Sequence, residues 1–457
     1  MRYLFHAMFN SILQKYLKIS PGNYHMVELV QESSVALIFK IISMILGYIF
    51  ALLITRTLGA YTMGVFVLSI TLLDIFTIFG KLGLENASLR FIAEYSAQNK
   101  IDIVKEIHSK VIMIVLFLCI FLSFLMYILA PILSKDLFQN EKLLQSFQII
   151  SFALLPTVFL IINLESIRGL QKIKQYSFLQ NIPGPFLSIS AFLILSIFYK
   201  VEHLPLICHI LGVIFLCILS FFIWQKNVFQ QFRATSNIIQ IKILLKTSFP
   251  MFLSSSLFMI MGWTDTLMLG FFCSEEEVGI YSIALKISLL TSITLYAVNT
   301  IAAPKFAELY GKKDSDGLRQ VAQNSSKIIF WSSFPLLIFF ILFPKLILSF
   351  FGNDFRAGSN ALIILSFGQF INAVSGSVGY ILQMTGKEKI FQYIILIAAL
   401  INITFNFFLI PRFGINGAAF ASMISMIFWN LSSVVYIKLF LGINTLYLPM
   451  IKKIFKI

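Results

Sequence analysis

The stretch VIMIVLFLCIFLSFLMYILA, residues 111–130, decides the fold class because it contains no charged residue. A helix of about 20 apolar residues is long enough to cross the hydrocarbon core of a bilayer. One such helix can be buried in a soluble protein, but this chain is apolar throughout. It is 58% hydrophobic and only 12% charged, and its mean hydropathy is +0.89. Soluble domains carry about 25% charged residues. The composition therefore indicates an all-α integral membrane protein.

Long apolar runs alternate with short polar breaks, and this alternation predicts twelve transmembrane helices. A membrane barrel would show shorter segments of alternating polarity. The loops are short, so no sizeable domain is expected outside the membrane. The expected spans are 33–56, 61–80, 111–130, 146–168, 176–199, 204–224, 248–272, 279–303, 328–343, 360–385, 390–410 and 414–437.

The basic residues follow the predicted topology. With the N-terminus in the cytoplasm, the cytoplasmic segments hold 26 of the 35 Lys and Arg residues, and the opposite loops hold seven. This asymmetry is the positive-inside pattern of membrane proteins. We therefore expect both termini to be cytoplasmic, and we attribute the formal net charge of +15 to topology rather than to nucleic-acid binding. No cleavable signal peptide is evident.

The two halves of the chain repeat each other. Gly64 matches Gly279 at an offset of 215 residues, and the same offset carries RFIAEYSAQNKID (90–102) onto KFAELYGKKDSDG (305–317). Each half has six expected spans, and an even number makes the repeats parallel to each other. The repeat predicts two pseudo-symmetric six-helix bundles around a central cavity, which is a plan that suits alternating access.

Five parts of the chain are expected on this basis. The N-terminal segment has apolar residues at helical spacing and is interpreted as an interfacial amphipathic helix, with a disordered leader as the alternative. The parts are the N-terminal cytoplasmic interfacial segment (1–32), the first bundle (33–224), a cytoplasmic linker (225–247), the second bundle (248–441) and a basic cytoplasmic tail (442–457).

Several motifs, in this order, resemble a known family. They are RTLGAYTMGVF, GWTDTLMLG, EVGIYSIALKI, NTIAAPKFAELYG, LQMTGKEK and PRFGINGAAFAS. The chain resembles the polysaccharide (Wzx-type) flippases of the multidrug/oligosaccharidyl-lipid/polysaccharide exporter superfamily over residues 33–437, nearly its whole length.

The resemblance implies a function in surface-polysaccharide synthesis. Such flippases move isoprenoid-diphosphate-linked oligosaccharide, such as an O-antigen repeat unit, from the inner to the outer leaflet. It also implies a place in the bacterial inner membrane, no cofactor, and glycan polymerase and chain-length machinery as partners besides membrane lipids.

Two of the charges inside predicted spans lie at similar depth. Asp265 and Lys286 are about equally far from the turn between the seventh and eighth spans. Ionisable groups inside a membrane are costly, by about 3 kcal/mol each on insertion scales, so each should face a partner or a cavity. A pair between them is possible. It would be an ion pair at the cavity wall, opened by an anionic headgroup or a proton, or else a purely structural contact between two helices.

The remaining candidate charges lie in the first half. Lys40 and Asp74 both lie nearer the cytoplasmic side, but they differ in depth by about 9 Å, so direct pairing is less secure. Lys40 would capture a diphosphate or would snorkel to the interface. Arg56 ends the first span within a family-like stretch. We therefore predict Lys40, Arg56 and Lys286 as substrate-binding cations, and Asp74 and Asp265 as ion-pair or coupling carboxylates.

Other classes of function stay open at this point. A cation-coupled multidrug exporter of the same superfamily is the main alternative. A membrane glycosyltransferase or glycan polymerase is less expected, because no long loop holds a cluster of carboxylates or histidines, and we do not expect an enzyme. The four cysteines show no metal-ligand spacing. The amide side chains within the predicted spans would bind sugar or hold helices together; they are Asn163, Asn299, Gln369, Asn372, Asn402 and Asn406.

Overall fold

The computed structural model describes residues 24–199, 201–228 and 241–447, and every regular element in these ranges is helical. This confirms the predicted all-α fold class. The first half contains Tyr24–Lys81 (α1), Leu84–Ala97 (α2), Ile101–Ile132 (α3), Leu143–Ser151 (α4), Leu154–Gly169 (α5), Ile173–Asn181 (α6), Pro183–Phe198 (α7) and Leu204–Val228 (α8).

The second half contains eight further helices and two short 3₁₀ turns, Leu289–Ser292 and Asp354–Gly358. The helices are Ile241–Phe272 (α9), Glu275–Ser288 (α10), Ile293–Gly311 (α11), Ser315–Leu342 (α12), Pro344–Ser349 (α13), Ser359–Ser375 (α14), Val378–Met384 (α15) and Glu388–Leu441 (α16).

The two longest helices are folded back on themselves at glycines. α1 has 58 residues and α16 has 54. If they were straight, each would exceed 80 Å, whereas the hydrocarbon core is only about 30 Å thick. The backbone leaves helical geometry at Gly59 (φ 84°) and at Gly414 (φ 53°). Positive φ angles of this kind favour glycine. The two glycines therefore divide α1 and α16 into two limbs each.

Within the described residues, eight helices are long and apolar enough to cross a membrane, and nine if the bent pair Leu143–Ser151 and Leu154–Gly169 forms one span. The chain is therefore a multi-pass membrane protein. The count of twelve spans is not confirmed by this criterion and stays a prediction. α1 and α16, however, are each long enough to cross the membrane more than once.

The stretch at 111–130 has one protein-facing side and one side that faces outward. Val115 and Cys119 are fully buried, whereas Phe117, Phe121 and Phe124 are each more than 60% exposed. In water such an apolar surface would be unstable, so this face of α3 is the side that contacts lipid.

The two halves touch at both ends of the molecule. We call them the Arg56 end, which carries the α9–α10 turn, and the Lys81 end, which carries the α1–α2 turn; charge bias predicts that the Lys81 end is cytoplasmic. At the Lys81 end, a Cβ added to Gly83 would lie 2.3 Å from the carbonyl oxygen of Ser248. There is no room for a side chain between the halves at this point.

At the Arg56 end the contact is pseudo-symmetric. A Cβ on Gly64 would lie 1.7 Å from the carbonyl oxygen of Glu275, and a Cβ on Gly279 would lie 2.2 Å from that of Ala60. Gly64 and Gly279 are partners at the repeat offset of 215, and so are Ala60 and Glu275. The two repeats thus contact each other through equivalent residues: Gly64 packs on Glu275, and Gly279 packs on Ala60.

Parts of the predicted domain plan lie outside the described residues, namely 1–23, 229–240 and 448–457. The described part of the N-terminal segment is helical, because α1 begins at Tyr24. The start of the predicted tail packs against the second half: Arg319 donates to the carbonyl oxygen of Gly442 at 2.8 Å, and Ile443 and Thr445 are each 1% exposed.

Candidate functional site: buried charges at the junction of the halves

Asp265, on α9, is a buried carboxylate that accepts four hydrogen bonds. Its Oδ1 accepts from the amides of Asn402 (3.1 Å) and Asn406 (2.7 Å). Its Oδ2 accepts from the hydroxyls of Tyr281 (2.6 Å) and Ser422. All four donors are neutral, so they satisfy the lone pairs of the carboxylate without supplying a positive charge. This cluster, defined by these five residues, is called the Asp265 cluster below.

The kink of α16 is what assembles the Asp265 cluster. Asn402 and Asn406 precede Gly414 and share one helix face at i, i+4 spacing, whereas Ser422 follows it. Because the chain reverses at Gly414, both limbs of α16 reach the same carboxylate. The third element is α10, which contributes Tyr281 and begins at a capping box formed by Ser274 and Glu277.

The ion pair that was possible between Asp265 and Lys286 is not formed. Among the described residues no cationic side chain pairs with Asp265. Similar depth alone does not bring two side chains together, because the rotation of each helix also determines which residues face each other. Tyr281 and Lys286 are five residues apart on α10, so they point about 140° apart around its axis. Since Tyr281 faces Asp265, Lys286 faces a different neighbour.

That neighbour is α1, in the other half of the molecule. Lys286 Nζ donates to the carbonyl oxygen of Gly47 at 3.3 Å and lies 5.8 Å from the centre of the Tyr48 ring. The Tyr48 hydroxyl in turn donates to the carbonyl oxygen of Lys286. An ammonium has three donors, and only one of them is used by another described residue. Lys286 is thus a cation at the junction of the halves, and two of its N–H donors are not used by any described residue.

Arg56 is also bound across the junction, at its exposed end. Its Nε donates to the carbonyl oxygen of Phe350 at 2.6 Å, and its Nη2 donates to that of Ser349 at 3.1 Å. Both acceptors lie at the end of α13, where helix carbonyls lack partners within the helix. Arg56 is therefore engaged with the second half, and the structure does not place it beside Lys286 in one cluster.

Lys40 and Asp74 are not brought together either. Lys40 is exposed on α1, in a stretch where Ile38 and Ile41 are exposed as well. Asp74 is half-buried and makes no hydrogen bond or ion pair with another described residue. Their difference in depth along the two limbs of α1 separates them. Closer to the Lys81 end, Lys81 pairs with Glu85 at 3.1 Å.

A polar cluster in the first half was not anticipated. His108 Nε2 lies 3.0 Å from Asn163 Oδ1, and Asn163 donates to Ser220 at 3.1 Å. The indole ring of Trp224 stacks on the imidazole of His108, with centroids 4.3 Å apart. The cluster ties α3, α5 and α8 together. Asn163 was visible in the sequence as an amide within an apolar span, but nothing indicated its partners.

Other features of the described residues give no second site. No three His, Cys, Asp or Glu side chains in the described ranges come together as metal ligands. All four cysteines are free. Glu165 and Arg168, three residues apart on α5, form an ion pair at 3.3 Å.

Comparisons with known proteins point to one family. The sequence profile described as "Polysaccharide biosynthesis protein" matches residues 29–310, and the profile named MatE matches residues 250–408. An uncharacterized membrane protein of Methanocaldococcus jannaschii, MJ1068, is 25% identical over 414 residues, which are 83% of this chain and 78% of that protein.

A second relative is described by function. The probable low-salt glycan biosynthesis flippase Agl15 of Haloferax volcanii is 26% identical over 186 residues, covering 40% of this chain and 39% of Agl15. Among solved structures, the inward closed conformation of the lipid II flippase MurJ superimposes with a TM-score of 0.72 at 18% identity, covering 88% of this chain and 87% of MurJ. That likeness shows a shared fold with two pseudo-symmetric lobes. The chain is a multi-pass membrane protein and belongs to the polysaccharide biosynthesis protein family.

Proposed function

We propose that this protein is a flippase that carries an isoprenoid-diphosphate-linked oligosaccharide from the inner to the outer leaflet of the cytoplasmic membrane by alternating access. The observation that carries the proposal is Lys286. It is a cation within a candidate membrane span, it lies where the two halves meet, and its bond to a described residue is to a neutral backbone carbonyl. A cation held this way can exchange its partner for an anionic group.

The chemistry of the substrate explains why such a cation is needed. A diphosphate cannot cross hydrocarbon at a useful rate, because ions lose their solvation there. A fixed ammonium between the two halves replaces part of that solvation, since charge-assisted hydrogen bonds to phosphate oxygens are strong. The isoprenoid tail would remain in the bilayer, against the apolar outer surface. The relative Agl15, described as a probable glycan biosynthesis flippase, supports a glycan-bearing substrate.

Asp265 has a different role in the proposal, as the coupling carboxylate. Its four donors are neutral, so a negative charge at this buried position stays uncompensated among the described residues. The four hydrogen bonds stabilise the carboxylate but leave it without a counter-ion. A monovalent cation that binds the carboxylate would supply the missing positive charge, and its binding would link the packing of α9, α10 and α16 to an ion gradient.

The experiment that tests the proposal is deletion of the gene in its own host. Surface glycan is then measured, and isoprenoid-linked oligosaccharides are extracted. We expect loss of surface polymer and accumulation of complete repeat units on the lipid carrier. Complementation with Lys286→Ala should fail, Lys286→Arg should restore part of the activity, and the exposed control Lys389→Ala should complement fully. Accumulation of incomplete units would point instead to an enzyme.

The second candidate is a cation-coupled multidrug exporter. The match of the MatE profile to residues 250–408 favours it, because this range contains both Asp265 and Lys286. An exporter of organic cations would be expected to have a net acidic cavity, whereas Lys286 places a positive charge at the junction. Normal surface glycan together with increased sensitivity of the deletion strain to cationic dyes would support the exporter and contradict the flippase.

A further inference from the structure

The Arg56 end carries a contact between the halves that the proposed transport site does not explain. The guanidinium of Arg56, in the first half, donates to two consecutive backbone carbonyls, those of Ser349 and Phe350, in the second half. The partners are 293 and 294 residues apart in sequence. Arg56 is exposed, whereas a substrate-binding cation inside the membrane would be enclosed.

In this contact one guanidinium group donates two hydrogen bonds to carbonyl oxygens at the C-terminal end of a helix. The carbonyls of Ser349 and Phe350 lie at the C-terminal end of α13, where arginine side chains bind well. The carbonyl oxygen of Ser349 also accepts from the amide of Gly352 at 3.2 Å. Arginine presents several N–H groups in one plane, so a single side chain spans two acceptors. Lysine carries the same charge but is a point donor on a flexible stem. The geometry thus favours arginine over lysine.

The packing around Arg56 couples this contact to the position of α1 against α10. Arg56 lies three residues before Gly59, where α1 turns, and the glycine crossing with α10 follows directly. At that crossing Gly64 and Gly279 leave no space for a Cβ, so the two helices touch backbone to backbone. Such a contact cannot deform gradually; it is either made or separated. The two hydrogen bonds of Arg56 therefore hold the turn of α1 against the second half while α1 and α10 are in contact.

We propose that Arg56 is a latch that keeps the Arg56 end of the molecule closed, and that its bonds to Ser349 and Phe350 must break before the two halves separate there. Weakening the latch shifts the population of the protein toward a state that is open at this end. The sequence-based role of Arg56 as a substrate-binding cation is replaced by this gating role.

Distance measurements between spin labels test the latch directly. The four native cysteines are replaced, and labels are attached to cysteines introduced at the exposed positions Glu202 and Arg412, one in each half at the Arg56 end. A second pair, at Glu94 and Lys313, reports on the Lys81 end. For Arg56→Gln we expect the ratio of long to short distances at the Arg56 end to rise about fivefold, as the loss of such hydrogen bonds implies. Arg56→Lys should give an intermediate ratio.

The controls separate gating from damage. Arg356→Gln removes another exposed arginine at the same end and should leave both distance distributions unchanged. A variant that merely folds badly would broaden the distances at both ends, whereas an open latch lengthens only the first pair. Unchanged distances in both Arg56 variants would overturn the proposal. Because no substrate is added, the result is independent of the proposed flippase function.

Discussion

At the scale of single residues, the rotation of α10 about its axis, rather than depth in the membrane, determines which side chains contact Asp265 and Lys286. The spacing of Asp265 and Lys286 from the α9–α10 turn predicts that they lie at similar depth. Lys286 nevertheless faces Gly47 and Tyr48, because Tyr281 occupies the side of α10 that faces Asp265. Two charges that could have neutralised each other are therefore separate, and the proposed function assigns one to substrate and the other to coupling.

The Asp265 cluster should be sensitive to the loss of the carboxylate. Asp265→Asn replaces one acceptor oxygen by a donor, so two of the four donors lose their partner. We expect a loss of stability of about 2 kcal/mol, in line with hydrogen bonds to charged groups, and a larger loss for Asp265→Ala. The measurement is thermal unfolding of the detergent-solubilised protein. Asp316→Asn, at an exposed site on α12, is the control and should not change the melting temperature.

The contact between Tyr48 and Lys286 can be dissected by a double-mutant cycle. Tyr48→Phe keeps the ring near Nζ but removes the hydroxyl that donates to the carbonyl oxygen of Lys286, so we expect a loss of about 1 kcal/mol. Tyr48→Ala also removes the cation–π contact. Combined with Lys286→Met, it should show a coupling energy of about 0.5–1 kcal/mol. Additive effects of Tyr48→Ala and Lys286→Met would contradict the contact.

At the scale of elements, glycines determine how the helices turn and cross. Gly59 and Gly414 break the two longest helices, and the reversal at Gly414 brings Asn402, Asn406 and Ser422 to one carboxylate. Gly64 and Gly279 allow α1 and α10 to touch at the Arg56 end. The sequence showed Gly64 and Gly279 as repeat partners, but not that they meet.

The space around Gly64 and Gly262 differs, so replacing each by alanine should have different effects on stability. Gly64→Ala would place a Cβ 1.7 Å from the Glu275 carbonyl oxygen, so the two helices must separate. We expect a destabilisation of about 3 kcal/mol, at the upper end of overpacking effects. Gly262→Ala, in α9, meets no atom within 4 Å and should be neutral or stabilising by up to about 1 kcal/mol. The melting temperatures of the two variants measure this difference, and equal values would contradict the close crossing.

At the scale of the whole molecule, charge asymmetry gives an orientation that labelling can test. The Lys81 end is predicted to be cytoplasmic and the Arg56 end external. Cys273 lies at the Arg56 end, but burial raises the pKa of its thiol to about 12, so it holds little reactive thiolate at neutral pH. Introduced cysteines at exposed positions in a cysteine-free chain are the better probes.

In intact cells a membrane-impermeant thiol reagent should label Glu276→Cys, at the Arg56 end, and should not label Lys313→Cys, at the Lys81 end. After the cells are opened, both should be labelled. The physical reason is that basic segments are retained in the cytoplasm during insertion. The reverse pattern in intact cells would invert the topology, and with it the proposed direction of transport.

The sequence by itself determined the membrane class, the helical fold, the repeat and the family, because these follow from composition, periodicity and order along the chain. It also predicted similar depths for Asp265 and Lys286, since rise per residue is a local property. Only the tertiary structure decided their partners. Which face of α10 meets α9 and which meets α1 depends on how the helices are rotated against one another. Likewise, only folding brought Arg56 to carbonyls nearly 300 residues away, because backbone acceptors leave no mark in the sequence.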